Sequence, residues 1–168
     1  KTDGTLWTWG RASNGALGLG DLIYRSSPTQ VGSDTNWSKV SVGNLFTMAI
    51  TSDGKLYTWG NNGGGRLGLG STLYVSSPTQ VGTGLDWNDI NATTSLYSSF
   101  ALKTDGTIWS WGYNDKGQLG LNQVSVYTSS PTQIGNLSNW ASINCVEKTT
   151  YALKTDGTIW SWGSNYAG

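Results

Sequence analysis

Few residues in this chain could carry out acid–base or nucleophilic chemistry. The sequence contains nine aspartates, one glutamate, one cysteine and no histidine. Paired carboxylates can act as general acid and base, and a cysteine thiolate can act as a nucleophile or a metal ligand. Because histidine is absent, no histidine-based proton relay or metal site can form within the chain. A catalytic hypothesis must therefore rest on the aspartates or on Cys145.

The aspartates are placed for turns rather than for catalysis. Four of them directly precede a glycine between two segments that favour β-structure, namely Asp3, Asp53, Asp105 and Asp156. An Asp-Gly pair in this position is typical of a tight β-hairpin, since both central residues tolerate positive φ. Cys145 stands in the apolar stretch "WASINCV", which favours a small buried hydrophobe over a reactive thiol. We therefore expect no enzyme activity, no metal and no cofactor.

Charge and composition narrow the classes of partner. Ten basic and ten acidic side chains give a formal net charge of zero, so no basic surface for nucleic acid is indicated. No run of about 18 apolar residues is present, and membrane insertion is not expected. Glycine, serine, threonine and asparagine are abundant, whereas glutamate occurs only at Glu147. This balance is poor in helix formers and predicts an all-β chain.

One ten-residue motif occurs four times in the chain, and it indicates which secondary structure positions these residues. "KTDGTIWSWG" stands at Lys103–Gly112 and at Lys154–Gly163, and near copies stand at Lys1–Gly10 and Thr51–Gly60. The closing glycines are 50, 52 and 51 residues apart. Motifs of the types "LGLG" and "SSPTQVG" recur with the same period. Regular spacing of this kind indicates a tandem array of structural repeats, whereas a catalytic site is a single constellation.

Each repeat predicts one small antiparallel sheet. Segments such as "WSKVSVG", "FTMAITS", "KLYTWG" and "PTQVG" are rich in β-branched and aromatic residues and are separated by turn formers. Alternation places Trp109 and Trp111 on one face of their strand. Such a sheet must stack on copies of itself, radially as a β-propeller or linearly as a solenoid. We predict a partial β-propeller over residues 1–168 with four antiparallel strands per blade and repeat marks at 3–10, 53–60, 105–112 and 156–163.

These residues also resemble a known family. "DGTIWSWG" followed by "GQLGLN" (Gly117–Asn122) or "GGRLGLG" (Gly64–Gly70) resembles the regulator of chromosome condensation repeat. The resemblance implies a seven-bladed propeller with four strands per blade. The phrases "SSPTQVG" and "NWSKVSVG" are similar to bacterial, marine and phage members. The family often carries Gly-x-x-His-Thr before the hairpin, but Phe46, Ser98 and Thr149 stand at the aligned positions and the histidine is missing.

The chain begins and ends inside the repeat pattern. Lys1 already belongs to a hairpin phrase, and Gly168 comes before a fourth "LGLG" motif. About three full repeats and partial ones are therefore present. We expect an excised part of a longer propeller, or alternatively a ring that several copies complete.

Two stretches differ in sequence between the repeats. Residues that the fold requires should recur in every repeat, so we expect partner-binding residues where the repeats differ. One follows Trp-Gly (Arg11–Ala16, Asn61–Arg66 and Tyr113–Gln118), and the other precedes the hairpin (Gly43–Phe46, Thr93–Ser98 and Val146–Thr149). Loops on a rigid scaffold commonly carry binding or catalytic residues. Sequence variation in loops that packing does not constrain would explain the same differences. Tyrosine provides a rigid amphipathic contact. The predicted partner-binding residues are Leu96, Tyr97, Tyr113, Lys116 and Gln118.

The sequence thus predicts a non-enzymatic structural or protein-interaction module. Its expected partner is a protein, or other copies or the remainder of the same propeller. The resemblance implies an extracellular or virion location, as a phage virion or a bacterial surface or secreted component. One alternative is a carbohydrate-binding propeller that uses Tyr24, Tyr74 and Tyr127, which occupy equivalent repeat positions. A second alternative is a proteinaceous inhibitor of a secreted enzyme.

Overall fold

A computed structural model describes residues 1–94, 97–146 and 148–165. These residues form thirteen β-strands and two short 3₁₀ turns at Ser13–Gly15 and Gly63–Gly65. The strands are β1 (Trp7–Gly10), β2 (Arg25–Gln30), β3 (Trp37–Val42), β4 (Phe46–Thr51), β5 (Leu56–Gly60), β6 (Val75–Gln80), β7 (Trp87–Ala92), β8 (Ser98–Lys103), β9 (Ile108–Asn114), β10 (Ser125–Gln133), β11 (Trp140–Val146), β12 (Thr149–Lys154) and β13 (Ile159–Gly163). No helix within the described residues is long and apolar enough to cross a membrane.

The strands form four antiparallel sheets that follow the repeat. Blade I contains β1 and β2, blade II contains β3 to β6, blade III contains β7 to β10, and blade IV contains β11 to β13. Within each blade, strands that follow one another in the chain are neighbours in the sheet. The prediction of all-β, four-stranded antiparallel propeller blades is confirmed. Blades II, III and IV start at the strands led by Trp37, Trp87 and Trp140, so in these blades the repeated hairpin phrase comes after the first strand.

The Asp-Gly pairs lie at hairpin turns, as predicted. Only their glycines have positive φ, however, so the aspartates do not adopt the conformation that was expected to be open to both central residues. In blade III, the backbone N–H and the hydroxyl of Thr107 donate to Oδ1 of Asp105 at 2.9 and 2.7 Å. In blade II, Gly54 has φ +79°, and a Cβ there would lie 2.1 Å from the carbonyl oxygen of Leu85. Glycine is required at this turn because the next connection passes directly against it.

Because neighbouring strands are antiparallel, successive connections between strands lie at opposite ends of the blade. The connection that follows the first strand of a blade and the one that follows the third strand lie on one side, here called the loop face. Its described residues are 11–24, 43–45, 61–74, 93–94, 97, 115–124 and 148. The opposite side, here called the turn face, contains the Asp-Gly hairpins and the connections between blades at 31–36, 81–86 and 134–139. The described residues of both divergent stretches therefore lie at or next to the loop face.

The core lies between neighbouring blades. Met48, Ile50 and Leu56 of blade II cluster with Trp87 and Trp111 of blade III. A second cluster joins blade III to blade IV through Phe100, Leu102, Ile108, Trp140, Ile143, Cys145 and Ala152. Cys145 is 7% exposed, as expected for a small buried hydrophobe, and burial raises the pKa of its thiol. These contacts confirm face-to-face packing of the blades.

One hydrogen-bond arrangement explains why the Trp-Gly and Leu-Gly motifs recur together. The residue before Leu-Gly presents its main-chain carbonyl, here called the corner carbonyl, to the next blade. The corner carbonyl of Arg66 accepts from Nε1 of Trp111 at 2.8 Å and from the hydroxyl of Ser99 at 2.7 Å. The corner carbonyl of Ala16 accepts in the same way from Nε1 of Trp59 and the hydroxyl of Thr47. The corner carbonyl of Gln118 accepts from Nε1 of Trp162 and the hydroxyl of Thr150. The predicted packing of Trp59 and Trp111 against a neighbouring blade is confirmed.

Candidate functional site

The structure brings together two tyrosines that the sequence places in separate divergent stretches. The ring centroids of Tyr97 and Tyr113 are 5.8 Å apart at the loop face of blade III. The backbone N–H of Tyr113 donates to the carbonyl of Tyr97 at 3.2 Å, which fixes the two connections side by side. Tyr97 is 36% exposed, and Tyr113 is half-buried beside it. The pair forms an amphipathic surface of the kind found at interfaces.

Tyr97 lies near the end of the Thr93–Ser98 stretch, which is two residues longer than its counterpart in blade II. Tyr97 has φ +61° and Leu45, which precedes the hairpin of blade II, has φ +62°. The carbonyl of Leu45 accepts from Asn61, as that of Tyr97 accepts from Tyr113. Tyr97 therefore occupies the backbone position of Leu45 but presents an aromatic ring. Leu96, also predicted to bind a partner, lies outside the described residues.

Arg66 of blade II completes this cluster, and sequence reasoning missed it. The guanidinium carbon lies 3.6 Å from the ring centroid of Tyr97 and 5.8 Å from that of Phe46. Its Nε donates to the carbonyl of Gly63 at 2.9 Å, and Nη1 donates to the carbonyl of Asn44 at 3.3 Å. The residue is only 4% exposed. Arg66 thus links the loops of blades II and III.

No carboxylate among the described residues pairs with Arg66. The described residues form five ion pairs, none of which includes Arg66. Burial lowers the pKa of Arg66 to about 10, an effect that Tyr97 and Tyr113 oppose. The guanidinium is therefore still charged at neutral pH. Contact with the ring faces stabilises the buried cation in part, but an aromatic face is a weaker partner than an oxyanion.

Two other predicted residues occupy different environments. Lys116 is exposed at the loop face. Gln118 is fully buried: its Oε1 accepts from the backbone N–H of Lys116 at 2.9 Å, and its Nε2 donates to Asp115 at 3.2 Å. Its carbonyl is the corner carbonyl for blade IV. The structure thus corrects the surface role expected for the Gln118 side chain, because the corner folds over it.

An ion pair beside Gln118 joins blades III and IV. Nζ of Lys148 lies 2.8 Å from Oδ2 of Asp115. The hydrogen bond from Lys148 holds the pKa of Asp115 below its usual value. Asp115 occupies the repeat position that Gly63 occupies in blade II. The loop of blade III thus supplies a carboxylate at the point where the loop of blade II has none.

This arrangement is suited to recognition of another molecule. Within the described ranges no group of three or more histidine, cysteine, aspartate or glutamate side chains could hold a metal ion. The loop face instead combines a buried cation, two phenol rings in tilted contact and the exposed Lys116. Such a combination of aromatic and arginine side chains is characteristic of protein interfaces.

Comparison with known protein families shows which family has this repeat. A family model described as the regulator of chromosome condensation (RCC1) repeat matches residues 3–50, 53–92 and 105–153. The chain belongs to the RCC1 repeat family. A second RCC1 repeat model matches residues 37–66 and 140–168. The RCC1 match covers the Trp-Gly and Leu-Gly motifs whose side chains and carbonyls join the blades.

Several curated proteins are similar to this chain over part of their length. Human E3 ubiquitin-protein ligase HERC2 is 38% identical over 169 residues, which is 97% of this chain and 4% of HERC2. The zebrafish (Danio rerio) protein RCC2 homolog is 36% identical over 72 residues, covering 42% of this chain and 14% of that protein. Human HERC6, a probable E3 ubiquitin-protein ligase, is 36% identical over 81 residues, covering 47% and 8%. This chain therefore spans only a small part of the length of these relatives.

Solved structures show the same fold. Human WBSCR16 superposes with a TM-score of 0.82 at 22% identity, covering 96% of this chain and 43% of that one. Yeast RCC1 (Prp20), in a structure with Kap60 bound, superposes with a TM-score of 0.79 at 22% identity, covering 95% and 40%. Both are similar in fold to the RCC1 blades described above, and at this identity the likeness concerns the fold alone.

Proposed function

We propose that this RCC1 repeat chain is a non-enzymatic protein-interaction module whose loop face contacts the partner. The observation that carries the proposal is the cluster of Tyr97, Tyr113 and Arg66, which joins loops from two blades. Residues of the recurring motifs form the hairpin turns, the hydrogen bonds to the corner carbonyls and the packing between blades. The residues of the cluster differ between repeats, so the recurring scaffold does not require their side chains.

Similarity to other RCC1 repeat proteins supports an interaction role. Yeast RCC1 (Prp20) has been crystallised with Kap60 bound, and another structure of Prp20p is described together with its binding to Gsp1p and histones. These partners are those of the yeast protein. The support for this chain is that a scaffold of the same fold serves protein binding.

A comparison of the two faces tests the proposal. A displayed library of random peptides is selected against the wild-type chain, and the binding of enriched peptides is then measured on two variants. The loop-face variant carries Tyr97→Ser and Tyr113→Ser. The turn-face control carries Leu85→Ser and Leu137→Ser, because these two side chains are 60% and 41% exposed in the connections between blades.

We expect the loop-face variant to lose binding about tenfold or more, as when interface aromatic residues are truncated. The turn-face control should bind like the wild type. Thermal unfolding of both variants checks that each still folds. If the enriched peptides bind the loop-face variant normally and lose affinity for the turn-face control, the proposal is wrong.

Carbohydrate binding is a second candidate. Tyr24, Tyr74 and Tyr127 are 62%, 53% and 46% exposed, so each repeat presents a ring near the start of its outer strand. Exposed aromatic rings of this kind can stack on sugar rings. Glycan-array binding that disappears when these three residues are changed to serine would favour this candidate, whereas an array without signal would reject it.

The setting of the protein is a further part of the proposal. We propose a phage virion or a bacterial surface or secreted protein, and a closed ring of seven blades. The support is the similarity of the "SSPTQVG" and "NWSKVSVG" phrases to bacterial and phage members, whereas the relatives named above are eukaryotic. The reading frame and neighbouring genes around this sequence test the setting, and a count of repeats in that frame tests the ring.

A further inference from the structure

Arg66 has hydrogen-bonding capacity that the described residues do not use. A guanidinium carries five N–H donors, all oriented by its planar geometry. Among the described residues only Nε and Nη1 of Arg66 donate, to the carbonyls of Gly63 and Asn44. Nη2 has no hydrogen-bond partner there and is not one of the fully buried polar atoms without a partner, so it stays open to solvent although the residue is only 4% exposed. An oxyanion that reached Nη2 would complete the hydrogen bonds of a cation that is otherwise largely removed from water.

Nη2 lies next to Gly63, which has no side chain. A Cβ at Gly63 would lie 3.1 Å from Nη2, so glycine leaves Nη2 without side-chain cover at this position. In the next repeat the equivalent residue is Asp115, whose carboxylate pairs with Lys148 at 2.8 Å. Blade III therefore shows how a carboxylate from this position neutralises a loop-face cation. Blade II has the cation but lacks the carboxylate.

We infer that Arg66, with Tyr97 and Tyr113, forms a binding site for the side-chain carboxylate of an acidic residue on a protein partner. This inference rests on the proposed loop-face interaction and names its chemistry. The guanidinium presents parallel N–H donors that match the two oxygens of a planar carboxylate. Tyr97 covers one side of the guanidinium at 3.6 Å and favours planar stacking over a tetrahedral group.

A phosphate group fits the site less well. Phosphate sites in proteins commonly combine several cations or a row of backbone N–H donors. Arg66 is buried, and Lys148, which lies at the boundary of blades III and IV, is already paired with Asp115. The chain as a whole has zero net charge, so it does not attract polyanions at long range. A single carboxylate is therefore the favoured ligand.

The direct test uses two short probes. The tripeptide Gly-Glu-Gly, blocked at both ends, is titrated into the isotope-labelled chain at constant ionic strength, and Gly-Gln-Gly serves as the uncharged control. NMR follows the Arg66 guanidinium and the rings of Tyr97 and Tyr113. We expect a saturable shift at all three residues, with the glutamate probe binding about tenfold or more tightly than the glutamine probe. Equal shifts with both probes, or no saturable shift with the glutamate probe, would overturn the inference.

Two variants extend the test. Arg66→Gln should abolish the difference between the probes. Gly63→Asp should place a carboxylate next to Arg66, raise the melting temperature and block the glutamate probe, whereas Gly63→Asn should do neither to the same extent. Because Gly63→Asp retains Arg66, it remains informative if Arg66→Gln fails to fold. If Gly63→Asp binds the glutamate probe as tightly as the wild type does, the site does not lie at Arg66.

Further arms separate the possible outcomes. Inorganic phosphate at the same ionic strength should bind more weakly than the glutamate probe, and tighter phosphate binding would replace the carboxylate assignment. If the glutamate probe fails while library-selected peptides still require Tyr97 and Tyr113, only the carboxylate inference is wrong. If those peptides bind the turn face instead, the proposed function itself is wrong.

Discussion

The indole Nε1 of Trp111 donates a 2.8 Å hydrogen bond to the main-chain carbonyl of Arg66 in the preceding blade. Arg66 thereby belongs to two systems at once. Its carbonyl joins blade II to blade III, and its side chain lies under Tyr97 at the loop face. The scaffold and the candidate site are therefore coupled through a single residue, and the two roles can be separated by substitution.

Replacing Trp111 with alanine should destabilise the fold far more than the same change at Trp9. Both residues occupy the same place in the repeated phrase, but Trp111 is fully buried and Trp9 is 61% exposed. Loss of a buried aromatic side chain costs about 3–5 kcal/mol. Chemical denaturation of the two variants measures the difference. Similar losses of unfolding free energy at both positions would show that the corner between blades is not the source of stability.

The two hydrogen bonds to the Arg66 carbonyl should be interdependent. Trp111→Phe removes the indole donor, leaves a smaller ring in a buried site, and leaves the carbonyl with the Ser99 hydroxyl at 2.7 Å. Ser99→Ala should cost about 1 kcal/mol and Trp111→Phe more, because the smaller ring also leaves a cavity. The double variant should cost more than the sum of the two because the buried acceptor is then unsatisfied. A double-mutant cycle on unfolding free energies measures the coupling. Simple additivity would contradict a shared acceptor.

Gly68 should tolerate alanine much less well than Gly82. Both have positive φ, +72° and +62°. A Cβ at Gly68 would lie 2.8 Å from Nε1 of Trp111, whereas nothing lies within 4 Å of one at Gly82. The left-handed conformation alone costs about 1–2 kcal/mol, and the clash adds about 1–3 kcal/mol at Gly68. Equal melting temperatures for the two alanine variants would argue against close approach of the Leu-Gly corner to the tryptophan.

The hairpin aspartates should contribute stability only above the acidic range. The hydrogen bonds from Thr107 lower the pKa of Asp105 from its ordinary value of 3.8. Since the folded pKa is below the unfolded one, the contribution is complete above about 3.8 and is lost as pH falls through the lower folded value. Asp105→Asn keeps the acceptor oxygen but removes the titration. The wild type should therefore exceed this variant in unfolding free energy at neutral pH, and the difference should disappear in acid.

Much of the scaffold could be predicted from the sequence because the same turn and strand signals recur in four copies of the motif. The Asp-Gly pairs specify the hairpins, and the alternation around Trp109 and Trp111 specifies the face that packs. The boundaries of the blades were harder to place. The repeated phrase begins in mid-blade, whereas the strand led by Trp87 starts the blade, and only the pairing of strands shows this.

The candidate site was predicted only in part, for physical reasons. Tyr97 and Tyr113 lie in divergent stretches, and the topology of the blade brings those stretches to one face. Arg66 belongs to a divergent stretch too, but its importance depends on burial and on a contact with the next blade. Gln118 looked like a surface residue because its side chain is polar, yet the corner buries it and satisfies its amide internally.

The most direct test of the account is to map where a selected ligand contacts the chain. A library-selected peptide is titrated into the isotope-labelled wild-type chain, and backbone and ring shifts are followed by NMR. The account predicts that the largest changes occur at the loop face, at Tyr97, Tyr113 and Lys116. Changes concentrated at the turn face, around Leu85 and Leu137, with the loop face unaffected, would contradict it.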